Sequence, residues 1–594
     1  SAIQIFVCLT DRSPLTHEKA SHILDTKKVF INQHHEMDGQ TKPKQNLELK
    51  PASIPADKNF KYTLLGFIIL FLVILYVYHP SFQFDFIYDD FIIIKHQKPF
   101  TEIHDAVRMF QERHYPNLPY YRPVVRTTLL LQKTIHGDSP APFHQFNVFL
   151  LWIAAISVYW LLRQPQLNVP RPLAFIVTGI FALHPVSSAC VYPIASGRET
   201  LLPGIFMILA IASYLKKGDV WYFLTFIFFT LALFSKEQAL MLLPLFVTGD
   251  LSRMKNDPSL KEIRYWIKRY TLMIIVLFIY MQIRFSLFGG SEFAITIFKD
   301  PFKPFFTPLY ALQSIFAPFR DEVYEPVQVK FWLSMPRLII AMISVLAVSF
   351  GIYKYADRGR FLFIFWGAWF VLSMLPTANV IVQEAAFSER YIFQAYLAFL
   401  MVIAFILAQK WNNKIVKQFI VISGLIIMAI LANFTMNRGN FFVGGFEFYT
   451  QWITVNPDHP APYLGLSKIY VQKGDFVRAF DYSSKAIMLK PDYMSAIVHH
   501  TIIQGIISGE SGEYKKAVEY FSRALFLNPN SIDAHYNFGI FYLKNKKHDF
   551  AIREFMKCIE LDPRNADAHY NLGIIYELKG QKSLSSIYYR KAYS

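Results

Sequence analysis

Two aspartates in tandem, Asp89-Asp90, are where chemistry is first legible in this chain. They close the run Phe84-Asp85-Phe86-Ile87-Tyr88-Asp89-Asp90, among aromatic and aliphatic neighbours. Adjacent carboxylates in an apolar setting repel, which raises the pKa of one of them. A carboxylate so tuned is suited to take a proton from a hydroxyl nucleophile, although an interfacial turn or helix cap uses the same pair without chemistry. Cations suited to an anionic ligand recur downstream: Arg122 in Tyr121-Arg122-Pro123, Arg198 in Gly197-Arg198-Glu199, Lys236 in Ser235-Lys236-Glu237, and Arg390 in Ser388-Glu389-Arg390-Tyr391. Arginine presents a planar fork to phosphate, whereas a lone interfacial cation also snorkels to headgroups. His184, before Pro185, is either a helix-end cap or a site residue, and His144 with Asn147 reads as packing. Glu237, Glu389 and Tyr391 complete the candidates. The three cysteines, Cys8, Cys190 and Cys558, give neither a disulfide framework nor a metal knuckle.

The elements that must position these residues are apolar. Of 594 residues, 53% are hydrophobic and only 17% charged, against about 25% charged in soluble proteins. This composition excludes a purely soluble enzyme, a disordered chain and a collagen-like repeat. Hydropathy predicts about eleven membrane spans, at 62–78, 145–162, 172–190, 199–215, 220–234, 237–249, 270–288, 337–353, 361–376, 391–408 and 417–434. Residues 220–249 could form one long helix, but a lone lysine at the bilayer centre costs about 3 kcal/mol. A hairpin with Lys236 at its tip is preferred. Alternate short loops are basic: Arg163 and Arg171, Lys216 and Lys217, then Arg253 to Arg269, Lys354 to Arg360, and Lys410 to Lys417. By the positive-inside rule these loops face the cytoplasm, with the N-terminus, and the segment after Phe434 lies outside. Every cluster named above then falls at the outer ends of helices, on one face, where ionisable residues are functional candidates. Ile103, Ala106, Val107 and Phe110 share one face of an amphipathic interfacial helix inside the first external loop, 80–142, and 298–319 reads as a second interfacial segment.

Residues 1–60 read as a polar cytoplasmic tail, disordered, with no secretory signal in Ala2–Leu9. Residues 61–440 form the membrane domain and 441–594 a repeat domain. In the latter, Pro457, Pro491, Pro529 and Pro563 are 34, 38 and 34 residues apart, and Asp533-Ala534-His535-Tyr536-Asn537-Phe538-Gly539 recurs as Asp567-Ala568-His569-Tyr570-Asn571-Leu572-Gly573. This is the period of the tetratricopeptide repeat (TPR). It predicts about four helical hairpins, the second with an insertion near Gly509–Gly512, able to bind an extended protein segment or to serve as a platform. The fold class is therefore all-α, a polytopic membrane domain followed by an α-solenoid. The net charge of +17 is spread over short loops, so nucleic-acid binding has no support.

In combination these motifs resemble the GT-C glycosyltransferases, and more narrowly the transmembrane-and-TPR-containing O-mannosyltransferases and their bacterial relatives. The runs that carry the resemblance are Tyr88-Asp89-Asp90, Tyr121-Arg122-Pro123, His144 with Asn147, Phe181-Ala182-Leu183-His184-Pro185, Gly197-Arg198, Ser235-Lys236-Glu237 and Glu389-Arg390-Tyr391, together with the C-terminal repeats. It covers residues 62–594. It implies transfer of a sugar, mannose, from a polyprenyl-phosphate donor to Ser or Thr hydroxyls, with inversion. Asp90, with Asp89, would orient and deprotonate the acceptor. Arg390, Lys236, Arg122 and Arg198 would hold the leaving phosphate, and the repeats would present the acceptor protein. Fixed cations would lessen the need for a divalent metal, whose participation stays open. The chain departs from the family at Ala189, where a Glu is usual after His-Pro. Either a second carboxylate is supplied elsewhere, with Glu199 and Glu237 as the candidates, or the donor or acceptor differs. The short repeat array points to the bacterial branch, with an undecaprenyl donor and the repeats in the periplasm. A dolichyl donor would instead place them in the ER lumen. Two other readings are a non-catalytic membrane scaffold whose repeats recruit partners and a lipid-linked sugar flippase. The flippase would need charges at mid-membrane on several helices.

Overall fold

The computed structural model describes residues 58–289 (except 96, 115–119, 255 and 256), 360–375, 389–593 (except 563 and 564) and a few positions between 311 and 354. Residues 1–57 of the expected tail 1–60, with Cys8, the span at 337–353 and most of the interfacial segment 298–319 lie outside the described residues, and residues 58–60 of that tail already belong to a helix. Residues 1–67 and 68–594 form two units. The division falls within a helix, α1 (Lys58–Tyr78), which in the first unit exposes Tyr62, Leu64 and Leu65.

Every regular element among the described residues is a helix. In the second unit they run α2 (Ile103–Arg108), α3 (Pro123–His136), α4 (Pro140–Leu162), α5 (Arg171–Leu183), α6 (Ile194–Tyr214), α7 (Asp219–Leu233), α8 (Leu242–Arg253), α9 (Ile263–Phe288), α10 (Phe393–Ala408), α11 (Lys414–Gly439) and α12 (Gly445–Val455). Four hairpins follow, formed by α13 (Pro460–Gln472) and α14 (Phe476–Leu489), α15 (Met494–Glu510) and α16 (Tyr514–Leu527), α17 (Ile532–Lys544) and α18 (His548–Leu561), and α19 (Ala566–Leu578) and α20 (Lys582–Tyr593).

The organising element is α6. Only Phe206 of its residues escapes full burial, and it packs on α4 and α7. A helix apolar on all sides belongs in the middle of an assembly, and this one carries Ser196 to Thr200 into the core on its first turns. At the periphery, α9 and α11 leave broad apolar faces uncovered, with Phe278 63% and Phe419 70% exposed. Such faces suit contact with lipid.

Six helices among the described residues are long and apolar enough to cross a membrane: Lys61–Gln83, Pro140–Leu162, Ile194–Tyr214, Ile263–Phe288, Glu389–Ala408 and Lys414–Phe442. Among the described residues the expected eleven are not reached, and the span expected at 337–353 lies outside them. Arg171–Leu183, Asp219–Leu233 and Arg360–Met374 are apolar but shorter. A helix of 13 residues such as α5 spans about 20 Å, against about 30 Å of hydrocarbon. The expected span at 237–249 divides into a 3-10 turn, Glu237–Met241, and α8. The chain reverses between α7 and α8, with Lys236 in the reversal.

The four repeat hairpins form as expected, with one correction. Gly512 is the turn residue of its hairpin, in the left-handed region (φ +75°), as are Gly474, Lys546 and Gly580 in theirs. The region Gly509–Gly512 therefore holds no insertion. The four additional residues lengthen α15 to 17 residues, against 13 in α13, α17 and α19. They precede Gly505, since Gly505–Ala517 keeps the spacing of Gly539–Ala551. Gly539 is required where it stands, because a Cβ there would lie 2.8 Å from the Phe555 ring of the paired helix.

Candidate functional site

Asp90 is held at the start of α6. One carboxylate oxygen accepts the backbone N–H of Ala195 at 2.8 Å, and the other accepts that of Ile87 at 3.1 Å. The carboxylate thus faces the helix N-terminus, where N–H groups lack internal partners and the dipole favours negative charge. The segment just after it, Phe91–Lys95, is anchored by the Lys133 ammonium of α3, which donates to the carbonyls of Ile94 (2.9 Å) and Lys95 (2.7 Å). Burial pushes the Asp90 carboxyl up to about 7, against the backbone donors of Ala195, Ile87 and Ile194, and the charge of half-buried Asp89 adds to the rise.

The next turn of α6 forms a closed ionic group. Arg122 pairs with Glu199 of α6 and, in a two-pronged contact, with Glu237. The Tyr120 ring lies 4.4 Å from its guanidinium, and His114 meets Glu199 at 2.7 Å. Burial alone would raise Glu237, but Arg122 takes it down to about 2. Arg198 is fully buried and donates to Asn147 Oδ1 at 3.1 Å and to the Phe143 carbonyl at 3.3 Å, with the Phe146 ring 4.6 Å away. Two of the four cations expected at a phosphate, Arg122 and Arg198, are thus committed to protein acceptors. Glu199 and Glu237, the carboxylates considered in place of the family Glu, accept from Arg122, and Glu199 also meets His114.

Lys236 and Arg390 are arranged differently. Lys236 donates to the Thr200 hydroxyl at 3.3 Å, and Arg390 to the Ser196 hydroxyl at 3.0 Å. Ser196 and Thr200 are four residues apart and share one face of α6. Both cations also lie over the Tyr391 ring, at 5.6 Å and 5.2 Å. Burial first, then the neighbouring Arg122, lowers Lys236 to about 8. Glu389 pairs with Arg438 near the end of α11, and Arg438 also reaches the Pro185 carbonyl at 3.5 Å. His184 takes the capping role: its Nδ1 accepts the Val186 N–H at 3.1 Å and its Nε2 lies 3.0 Å from the Ile315 carbonyl. Cys190 is buried, and burial raises its thiol to about 12 against the nearby charges of Lys236, Arg390 and Arg438.

The first two turns of α6 therefore gather Asp90, Arg122, Lys236 and Arg390 from four separate loops. Sequence reasoning missed His114, Ser196, Thr200 and Arg438. A lone arginine at the end of a long apolar helix is a readable signal for Arg438. The two hydroxyls carry no signal beyond their spacing.

Residues 532–565 and 554–584 each match a model of the tetratricopeptide repeat. Over 395 residues the chain is 23% identical to a protein O-mannosyl-transferase of Caenorhabditis elegans, covering 63% of this chain and 54% of that protein. The chain spans about half the length of this curated relative. Among solved structures, MamA is 27% identical over 25% of this chain and 84% of its own, with a TM-score of 0.20. YrrB, a TPR protein with an unusual peptide-binding site, is 24% identical over 29% of this chain and 82% of its own, with a TM-score of 0.18. The resemblance read from the motifs is thus supported: this chain is similar to a protein O-mannosyl-transferase and carries tetratricopeptide repeats toward its C-terminal end.

Proposed function

We propose that the chain is an integral-membrane glycosyltransferase that moves a sugar, mannose, from a polyprenyl-phosphate donor to Ser or Thr hydroxyls of proteins. The reaction takes place on the outer face, periplasmic or lumenal, and the repeats present the acceptor. One observation carries the reading. A buried carboxylate sits at the N-terminus of α6, and two cations rest on hydroxyls within its next turns. Ala195 and Thr200 are separated by about 7 Å of helix, a span suited to a base on one side of an anomeric carbon and a leaving phosphate on the other. The acceptor oxygen attacks that carbon, its proton passes to Asp90, and the bond to the phosphate oxygen breaks. Charge on the phosphate rises as the lipid departs, so Lys236 and Arg390 stabilise the transition state more than the ground state. Asp89 assists in orienting the hydroxyl. Arg122 and Arg198 hold the loops and α6 in place, and Glu389, through Arg438, fixes the segment that carries Arg390 and Tyr391.

The helix-capping contacts of Asp90 also fit a non-catalytic scaffold, and one substitution separates the two readings. Asparagine caps helices as well as aspartate does, so Asp90→Asn keeps an amide oxygen for the Ala195 N–H, gives up the second backbone contact, and removes the base. Purified protein is given polyprenyl-phosphate mannose and an acceptor peptide. Loss of transfer in Asp90→Asn and Arg390→Ala supports the enzyme, and parental transfer in both removes these residues from the mechanism. A tight protein partner with no turnover in the parent would favour the scaffold.

A further inference from the structure

Tyr88 is strained. Its φ is +43°, in the left-handed region that aromatic residues occupy only when their surroundings hold them there. It lies inside the turn 87–90, closed by the Asp90 N–H on the Ile87 carbonyl at 2.9 Å and by the Asp90 carboxylate on the Ile87 N–H. Glycine or asparagine is the usual residue at such a position, so a tyrosine there is explained by what its ring touches. The ring stands edge-on to Trp452 at 5.7 Å and lies 6.3 Å from Phe448, both buried on α12. Beside this contact the Asp85 N–H donates to the Val443 carbonyl at 3.1 Å. Trp452 stacks on His459 at 4.9 Å, and His459 caps α13, the first helix of the repeats. α12 and α13 are closely fitted, since a Cβ at Gly465 would lie 2.4 Å from the Tyr449 ring.

We propose that Tyr88 is a positioning residue through which the repeat array sets Asp90: the ring, seated on Trp452 and Phe448, holds the left-handed turn that aims the carboxylate at the start of α6. This rests on the reading of Asp90 as the base. An acceptor protein gripped by the repeats therefore acts on the same rigid path that orients the base, so delivery of the acceptor and readiness of the site are linked. The charged groups facing Asp90 are Asp89 and Arg198.

The test compares Trp452→Ala, Trp452→Phe, Tyr88→Gly and Tyr88→Ala with the parent, using a short acceptor peptide and polyprenyl-phosphate mannose. Folding is followed by gel filtration and thermal unfolding in detergent, with Asp90→Asn as control. Trp452→Ala is expected to lower kcat roughly 10-fold, since small misplacements of a reacting group are costly. KM for the lipid donor should stay near the parental value. The acidic limb of the kcat–pH profile should move toward the ordinary carboxylate range near about 4 as the turn loosens and water reaches Asp90. Trp452→Phe should restore most of the rate. Tyr88→Gly should outperform Tyr88→Ala, because glycine accepts the left-handed backbone. If Asp90→Asn is inactive while Trp452→Ala keeps the parental kcat and acidic limb, the linkage is wrong and the base assignment stands. If Asp90→Asn retains full activity, both fall.

Discussion

The two ends of α6 both carry buried charge, about 30 Å apart along a helix of 21 residues, and they differ in what that charge faces. At the C-terminal end everything converges on one carboxylate. Asp250, fully buried, accepts from the hydroxyls of Tyr214 (2.7 Å), Tyr265 (2.9 Å) and Tyr270 (2.6 Å) and from Arg253 (2.6 Å), with Arg269 at 3.7 Å. This group fastens α6, α8 and α9 to one another. At the N-terminal end the polar residues divide. Arg122, Glu199, Glu237 and His114 form a comparable fastener, while Lys236 and Arg390 rest on the hydroxyls of Thr200 and Ser196. Lys236, which donates to the Thr200 hydroxyl, exchanges it for a phosphate oxygen at small cost, whereas Arg122, paired to two carboxylates, does not. Burial of charge alone therefore does not mark a site, and the nature of the partner does.

The comparison can be broken first at the two acids. Asp90→Asn should lower transfer by about 10²–10⁴-fold, the usual contribution of a positioned base, with a smaller fall in Tm than Asp250→Asn, since one backbone N–H loses its acceptor. Asp250→Asn should do the reverse. Removing one partner of a buried ionic group costs about 3–5 kcal/mol, read as a lower Tm, while transfer per folded molecule should change by less than about 2-fold at a site so distant. The cations come next. Arg390→Ala and Lys236→Ala should each lower kcat by about 10²-fold, as loss of a donor to developing charge does elsewhere. Arg122→Ala should act mainly on stability, by about 3–5 kcal/mol, because it removes the guanidinium that the buried Glu199 and Glu237 share.

The smallest expected effect is in the pH profile. Asp90, raised to about 7, must be ionised to act as base, and Lys236, lowered to about 8, must be protonated to meet the phosphate. Transfer should rise with pH through about 7 and fall above about 8. Lys236→Arg should extend activity to higher pH, since arginine keeps its charge there. An alkaline limb that does not move in this variant would assign it to another group.

Much of this site is legible in the chain, for identifiable reasons. Lys236 stands out because a charge interrupts an otherwise apolar stretch, and the loop it marks is present between α7 and α8. Asp90 stands out because a tandem acid among aromatics is costly to place. The division of labour among the cations is not legible, since Arg122 meets a partner 115 residues away and nothing local distinguishes it from Arg390. His184 carries two meanings in sequence, and its ring contacts select the cap. The repeats follow from their period, but proline spacing does not say on which side of Gly505 four additional residues lie. The length of α15 puts them inside that helix, and the Gly505–Ala517 spacing puts them before Gly505. Helix α5 is apolar enough to be counted as a span, yet it stops at Leu183, because Pro185 disfavours helical backbone at His184, which is extended.

The central claim is that the N-terminal end of α6 is chemical and its C-terminal end structural. It is tested most directly by single-turnover transfer of labelled mannose from a polyprenyl-phosphate donor to an acceptor peptide, with Asp90→Asn and Asp250→Asn measured side by side at equal folded concentration. Loss of transfer in Asp90→Asn, with near-parental transfer in Asp250→Asn, is the predicted result. Equal transfer by the two, or loss confined to Asp250→Asn, would contradict it.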